Sequence, residues 1–181
     1  MDGKKTLPLS WNEQIKQSLW KLWNSFPEAP VVLIGVGNPL MGDDAAGLLV
    51  IQKLKTSLPA AKLIIPVDGG PAPENCSGLI RRLKPGLVFF IDAGDMGEIP
   101  GTVGVFAANK ADGVTAFGHS LPLSVLGQYL EAEVGCHSFL QIIQPEYIDF
   151  DLPVSQTILA TVDEICDAWM EAAAFAPKRP E

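Results

Sequence analysis

The chain has 181 residues, 48% hydrophobic and 19% charged, enough for one soluble globular domain with a sizeable core. Its formal net charge of -8 argues against a nucleic-acid or anionic-membrane partner. The 3 cysteines, Cys76, Cys136 and Cys166, are widely spaced and form no CxxC; with no membrane-length apolar run and no signal-peptide pattern, they point to small buried thiols in a reducing cytoplasm, without membrane insertion.

The first predicted element is a helix in "SWNEQIKQSLWKLWNSF". Ser10 with Glu13 is a capping-box pattern, and Trp11, Ile15, Leu19, Leu22, Trp23 and Phe26 recur at helical spacing. This apolar stripe, in a helix with three tryptophans, is expected to pack on the domain; a docking helix for a partner protein is the alternative. "PEAP" then breaks the helix, so residues 1–30 read as a helical extension, 31–175 as the domain and 176–181 as a tail.

From Val31 strands and helices alternate. "VVLIGVG" reads as a buried strand, "AAGLLVIQKLKTSL" as a helix, "AKLIIPVDGG" as a second strand, "PENCSGLIRRLK" as a helix and "GLVFFIDAG" as a third strand. "GTVGVFA" is a fourth strand. "SLPLSVLGQYLEAE" is a helix with Ser120 as its expected N-cap, and "SFLQIIQPE" is a fifth strand. "PVSQTILATVDEICDAWMEAAAF" is a final helix with proline in its first turn. The alternation predicts an α/β fold of three layers, α/β/α, with a twisted, mostly parallel five-stranded sheet.

In such a sheet the carboxyl ends of the parallel strands share one edge, where open α/β folds bind ligands. Asp44 follows the first strand, Asp68 closes the second and Asp92 closes the third. A single strand-end Asp is more often a cap or turn residue, and Asp43 is read that way, or as a solvent-facing charge. Three in succession at one edge point to a site. "GVGNPL" has Gly35 and Gly37 of a dinucleotide fingerprint, but Leu40 replaces the third glycine and Asp43 and Asp44 would repel a phosphate. Carboxylates at a tight turn suit a cation better. Of the 2 histidines, His119 at the start of a predicted helix is the candidate third ligand, and His137 is read as structural. No Ser-His-Asp or Cys-His pattern is readable, so an acyl-enzyme is not expected.

"GVGNPLMGDDAAG", "DGGPAPEN", "IDAGDMG", "GHSLPL" and "QIIQPE" together resemble the hydrogenase maturation endopeptidases, which remove a C-terminal extension from the large subunit of [NiFe]-hydrogenases. "DMG" and "PEN" are most similar to the branch that serves formate-hydrogenlyase-type hydrogenases. The resemblance runs from about Val31 to Glu146 and does not include the first helix. It implies a phosphorylase/hydrolase-like sheet. It also implies that Asp44, Asp92 and His119 contact nickel carried by the substrate, a position another divalent cation can take in vitro. Asp44, Asp68 and Asp92 are implied as catalytic, and Gly37, Asn38, Asp68, Gly69 and Gly70 as substrate-binding. Many members have Thr after the DGG turn, where this chain has Pro71. The implied partner of this expected monomer is the [NiFe]-hydrogenase large-subunit precursor. The alternatives are a hydrolase with its own permanently bound metal and a non-catalytic nickel-binding maturation chaperone.

Overall fold

A computed structural model describes residues 9–59, 63–111, 115–116 and 122–177. Helix α1 spans Trp11–Ser25, and Ser10 and Glu13 close both halves of the expected capping box. Strand β1 (Val31–Val36) runs through a 3-10 turn, Gly42–Ala45, into α2 (Ala46–Ser57). Strand β2 (Ile64–Gly70) leads through a 3-10 turn at Pro73–Cys76 to α3 (Ser77–Leu83). Then come β3 (Leu87–Asp95), β4 (Val103–Ala107), the two-residue β5 (Thr115–Ala116), α4 (Leu123–Val134), β6 (His137–Ile143) and α5 (Gln156–Phe175).

The sheet order is β2-β1-β3-β6-β4, with β5 pairing β3 off this path. Strands β1, β2, β3 and β6 are parallel, whereas β4 runs antiparallel to β6 at one edge. The mostly parallel α/β architecture expected from the alternation is therefore present. Continuous apolar runs such as Val31–Val36 are buried from end to end because both faces are covered. One face carries α1, α2 and α5 over Val31, Leu33, Phe89 and Ile91. The other carries α3 and α4 over Val32, Ile34, Val88 and Phe90.

Two helix starts differ from the sequence expectation. Helix α4 begins at Leu123 with Pro122 in the N-cap position, while Ser120 lies outside the described residues. Helix α5 is capped by Ser155, whose hydroxyl accepts from the Ile158 N–H at 3.3 Å, so Pro153 precedes the helix instead of entering its first turn.

Helix α1 joins the core through Ile15, Leu19 and Leu22, and the Trp23 indole donates to the Ala29 carbonyl at 3.1 Å. Leu22 and Phe26 line a cleft with Leu87, His137 and Phe139. Leu87 and His137 begin β3 and β6, so this end of α1 lies at the amino ends of the strands. The stripe is narrower than the spacing suggested, since Phe26 is exposed, and Trp20, outside the stripe, is exposed as well. Among the described residues, no helix is long and apolar enough to cross a membrane.

Candidate active site

The strand order reverses at β1, which has β2 on one side and β3 on the other. Crevices at such a reversal, at the carboxyl ends of the strands, are where open α/β sheets hold ligands. Asp44 follows β1 in the 3-10 turn, and Asp92 lies near the end of β3. Asp44 thus lies in the turn that leaves β1, and Asp92 in the neighbouring strand β3, at the reversal. The turn packs against β3, and Gly47 lets α2 start there, since a Cβ on it would meet the Ile91 carbonyl oxygen at 2.0 Å. Asp44 is 5% exposed and Asp92 0%. Ionised carboxylates are costly at such depth unless paired or ligating. Asp92 shares a level with Ile142 of β6 and belongs to the α3/α4 face.

The opening turn is built around Asp44. Gly37 has φ +133, and a Cβ there would lie 1.8 Å from the Asp44 carbonyl oxygen, so only glycine lets the chain pass. The next backbone N–H, of Asn38, donates to Asp44 Oδ2 at 2.7 Å. The Asn38 side-chain oxygen accepts from the Leu40 N–H at 3.0 Å and closes the turn. The Gly37 N–H donates to the Gly70 carbonyl at 3.1 Å, stitching this turn to the one that follows β2. Gly37, Asn38 and Gly70 therefore position Asp44 through their backbone.

Asp68 stands apart from the other two acids. It lies on the edge strand β2, paired at the level of Gly35, and is exposed. Its level is shared across β1 by Ile91, which packs on the α2 face, so Asp68 and Asp92 alternate to opposite faces. Gly69 packs close to Ile34, with Gly70 next to it at φ +58. His119 lies outside the described residues, before the start of α4. His137 is exposed at the start of β6, at the opposite edge from the acids. Among the described residues no group of three His, Cys, Asp or Glu side chains is gathered for a metal.

Asp43 departs from its sequence reading as a turn residue or solvent-facing charge. It is fully buried. Its oxygens accept from the N–H groups of Glu146 at 2.9 Å, Tyr147 at 3.2 Å and Ser155 at 2.7 Å, and from the Ser155 hydroxyl at 3.0 Å. One carboxylate thus fixes the loop after β6 and the start of α5 to the turn that carries Asp44. These donors lie 103 to 112 residues away, so no local pattern reveals them. Beside it, burial first, and then the charges of Asp43 and Glu146, raise the Tyr147 phenol above its ordinary range.

The thiols fit no nucleophile. Cys136 and Cys166 are buried as expected, whereas Cys76 is only half-buried. Burial, then the negative charges of Asp68 and Glu74, push the Cys76 thiol up, away from the thiolate a nucleophile needs. What remains at the reversal is a pair of buried carboxyl groups, Asp44 in the turn after β1 and Asp92 in β3.

A sequence profile of the hydrogenase maturation protease family (HycI) matches residues 48–172. The hydrogenase 3 maturation protease of Escherichia coli strain K12 is 36% identical over 149 residues, covering 80% of this chain and 94% of the relative. The crystal structure of the [NiFe] hydrogenase maturation protease HycI from Thermococcus kodakarensis KOD1 superposes with a TM-score of 0.76 at 27% identity, covering 87% of this chain and 99% of that one. The solution structure of the endopeptidase HycI from Escherichia coli gives 0.67 at 33% identity, covering 76% and 87%.

Proposed function

From the premise that this chain belongs to the hydrogenase maturation protease family, we propose that it is the endopeptidase that removes the C-terminal extension of a [NiFe]-hydrogenase large-subunit precursor once nickel is in place. In this reading Asp44, Asp92 and His119 recognise the nickel carried by the precursor. One observation supports it above others: two buried carboxylates, Asp44 in the turn that leaves β1 and Asp92 in the adjacent strand β3, sit where the sheet order reverses.

Docking the substrate's nickel there holds the scissile peptide bond beside the carboxylates. Such positioning can lower a barrier by roughly 7–11 kcal/mol at its upper end. Without the cation, Asp44 and Asp92 present like charges to each other and to the incoming peptide, which makes the metal a condition of binding. Asp68, exposed one strand away, is assigned to the peptide, as general base or as the group that orients it. Gly37, Asn38, Gly69 and Gly70 shape the backbone along which the peptide lies. The protein acts as a monomer in the cytoplasm, where the precursor is loaded.

The test is incubation with nickel-loaded and nickel-free precursor, read by mass. Loss of the extension from the loaded form alone is expected. Equal processing of both forms would refute nickel recognition, and stoichiometric zinc in protein purified without chelator would favour a hydrolase with its own metal. A complex that leaves the precursor mass unchanged would make the protein a maturation chaperone.

A further inference from the structure

The loop between β6 and α5 leaves apolar side chains in solvent next to the turn that carries Asp44. Phe150 is 66% exposed, Leu152 44%, and Leu40, on the neighbouring turn, 56%. A slack loop could fold such groups away, but this one is braced. The Asp151 N–H donates to the Leu40 carbonyl at 2.9 Å, and the Tyr147 hydroxyl donates to the Pro153 carbonyl at 2.8 Å. Asp43 holds both ends through Glu146, Tyr147 and Ser155. Asp151, between Phe150 and Leu152, has φ 60, a left-handed backbone that a residue other than glycine adopts at some cost.

We propose that Leu40, Phe150 and Leu152 form a docking ledge for a segment of the hydrogenase large-subunit precursor in which apolar side chains alternate with basic ones. The inference rests on the function proposed above. Two observations choose this occupant. The ledge is continuous with the candidate site, because Leu40 N–H bonds the side chain of Asn38, whose own N–H holds Asp44. The loop's own charge has one sign: Glu146, Asp149 and Asp151 are exposed along it, and no Lys or Arg occurs from 141 to 155. Apolar anchors bounded by a polar rim are the usual form of a recognition surface.

The experiment is steady-state processing of nickel-loaded precursor by the full chain and by the double variant Leu40→Ser, Phe150→Ser. The expected result is a KM raised about tenfold, a kcat within about twofold and an unchanged melting temperature. Phe150→Leu, which keeps an apolar anchor, retains the parent KM. The Asp149→Asn, Asp151→Asn pair keeps the shape and weakens the dependence of KM on salt. An unchanged KM in the double variant overturns the proposal. So does a parent dimer that the double variant abolishes at unchanged KM, since the ledge then belongs to a second copy. If the parent protein leaves the precursor whole, the proposed function has failed. The ledge is then judged by titration with the same precursor, where equal affinity of parent and double variant refutes it.

Discussion

A Cβ added to Gly37 would lie 1.8 Å from the carbonyl oxygen of Asp44, far inside van der Waals contact. The turn after β1 can therefore close on Asp44 only with glycine at 37. Gly37→Ala should push the turn open, with a loss on the order of 2–4 kcal/mol, and should abolish precursor processing. Chemical denaturation and the mass assay check both. A variant with parental stability and activity would show that the backbone relieves the clash at little cost.

The neighbouring acids Asp43 and Asp44 should give opposite phenotypes. Asp43→Ala removes an acceptor shared by four donors on the loop after β6 and at the start of α5. A loss on the order of 3–5 kcal/mol is expected, since buried N–H groups are left unsatisfied. Asp44→Asn keeps an oxygen for the Asn38 N–H, so the melting temperature should stay within about 3 °C of the parent. Processing of nickel-loaded precursor should nonetheless fall at least about a hundredfold, as lost ligation predicts. Parental turnover by Asp44→Asn would exclude the ligand role.

His119→Ala carries the same expectation for processing as Asp44→Asn. Removing a neutral nitrogen donor should leave nickel-loaded precursor largely intact at substrate levels the parent consumes, with no change in the circular dichroism spectrum. His137→Ala should process normally, because His137 is at the other edge of the sheet. Reversal of this order would move the candidate site away from the carboxyl edge.

Deleting residues 1–26 removes Ile15, Leu19 and Leu22 from the core. Each buried side chain contributes roughly 2 kcal/mol, so the melting temperature should fall clearly. The remaining folded fraction should still cleave, because the Leu22 end of α1 lies at the amino ends of β3 and β6, away from the acids. Loss of cleavage at an unchanged melting temperature would place α1 in substrate recognition instead.

Burial pushes the Cys166 thiol up from 9.0 to about 11, with Lys53 pulling it down and Asp163 and Asp167 adding to the rise. The folded chain thus keeps this proton when the unfolded chain has released it. Stability from this source is intact below pH 9 and is lost as pH rises from 9 toward 11. The stability difference between parent and Cys166→Ala should be flat below pH 9 and shift against the parent above it. A difference that stays flat to pH 11 would show that the thiol ionises alike in both states.

The sequence determined the local elements and the candidate acids. Ser10 with Glu13 announced the capping box that forms, and the buried run Val31–Val36 announced a central strand. The strand-end positions of Asp44, Asp68 and Asp92, with their surrounding motifs, were legible because alternation and turn chemistry are written in neighbouring residues. Tertiary structure decided which of these acids share a place. As strand-end acids the three look equivalent, yet the order β2-β1-β3 brings the turn that carries Asp44 against β3, which carries Asp92, and leaves Asp68 exposed on the edge strand. It also decided that Asp43 is a buried anchor whose Ser155 partner lies 112 residues on, and that Phe26, on the same stripe as Ile15 and Leu19, stays exposed while they join the core. The physical reason is one of range. Periodicity fixes which side of an element is apolar, whereas strand order and long-range hydrogen bonds follow from how those apolar sides pack against one another.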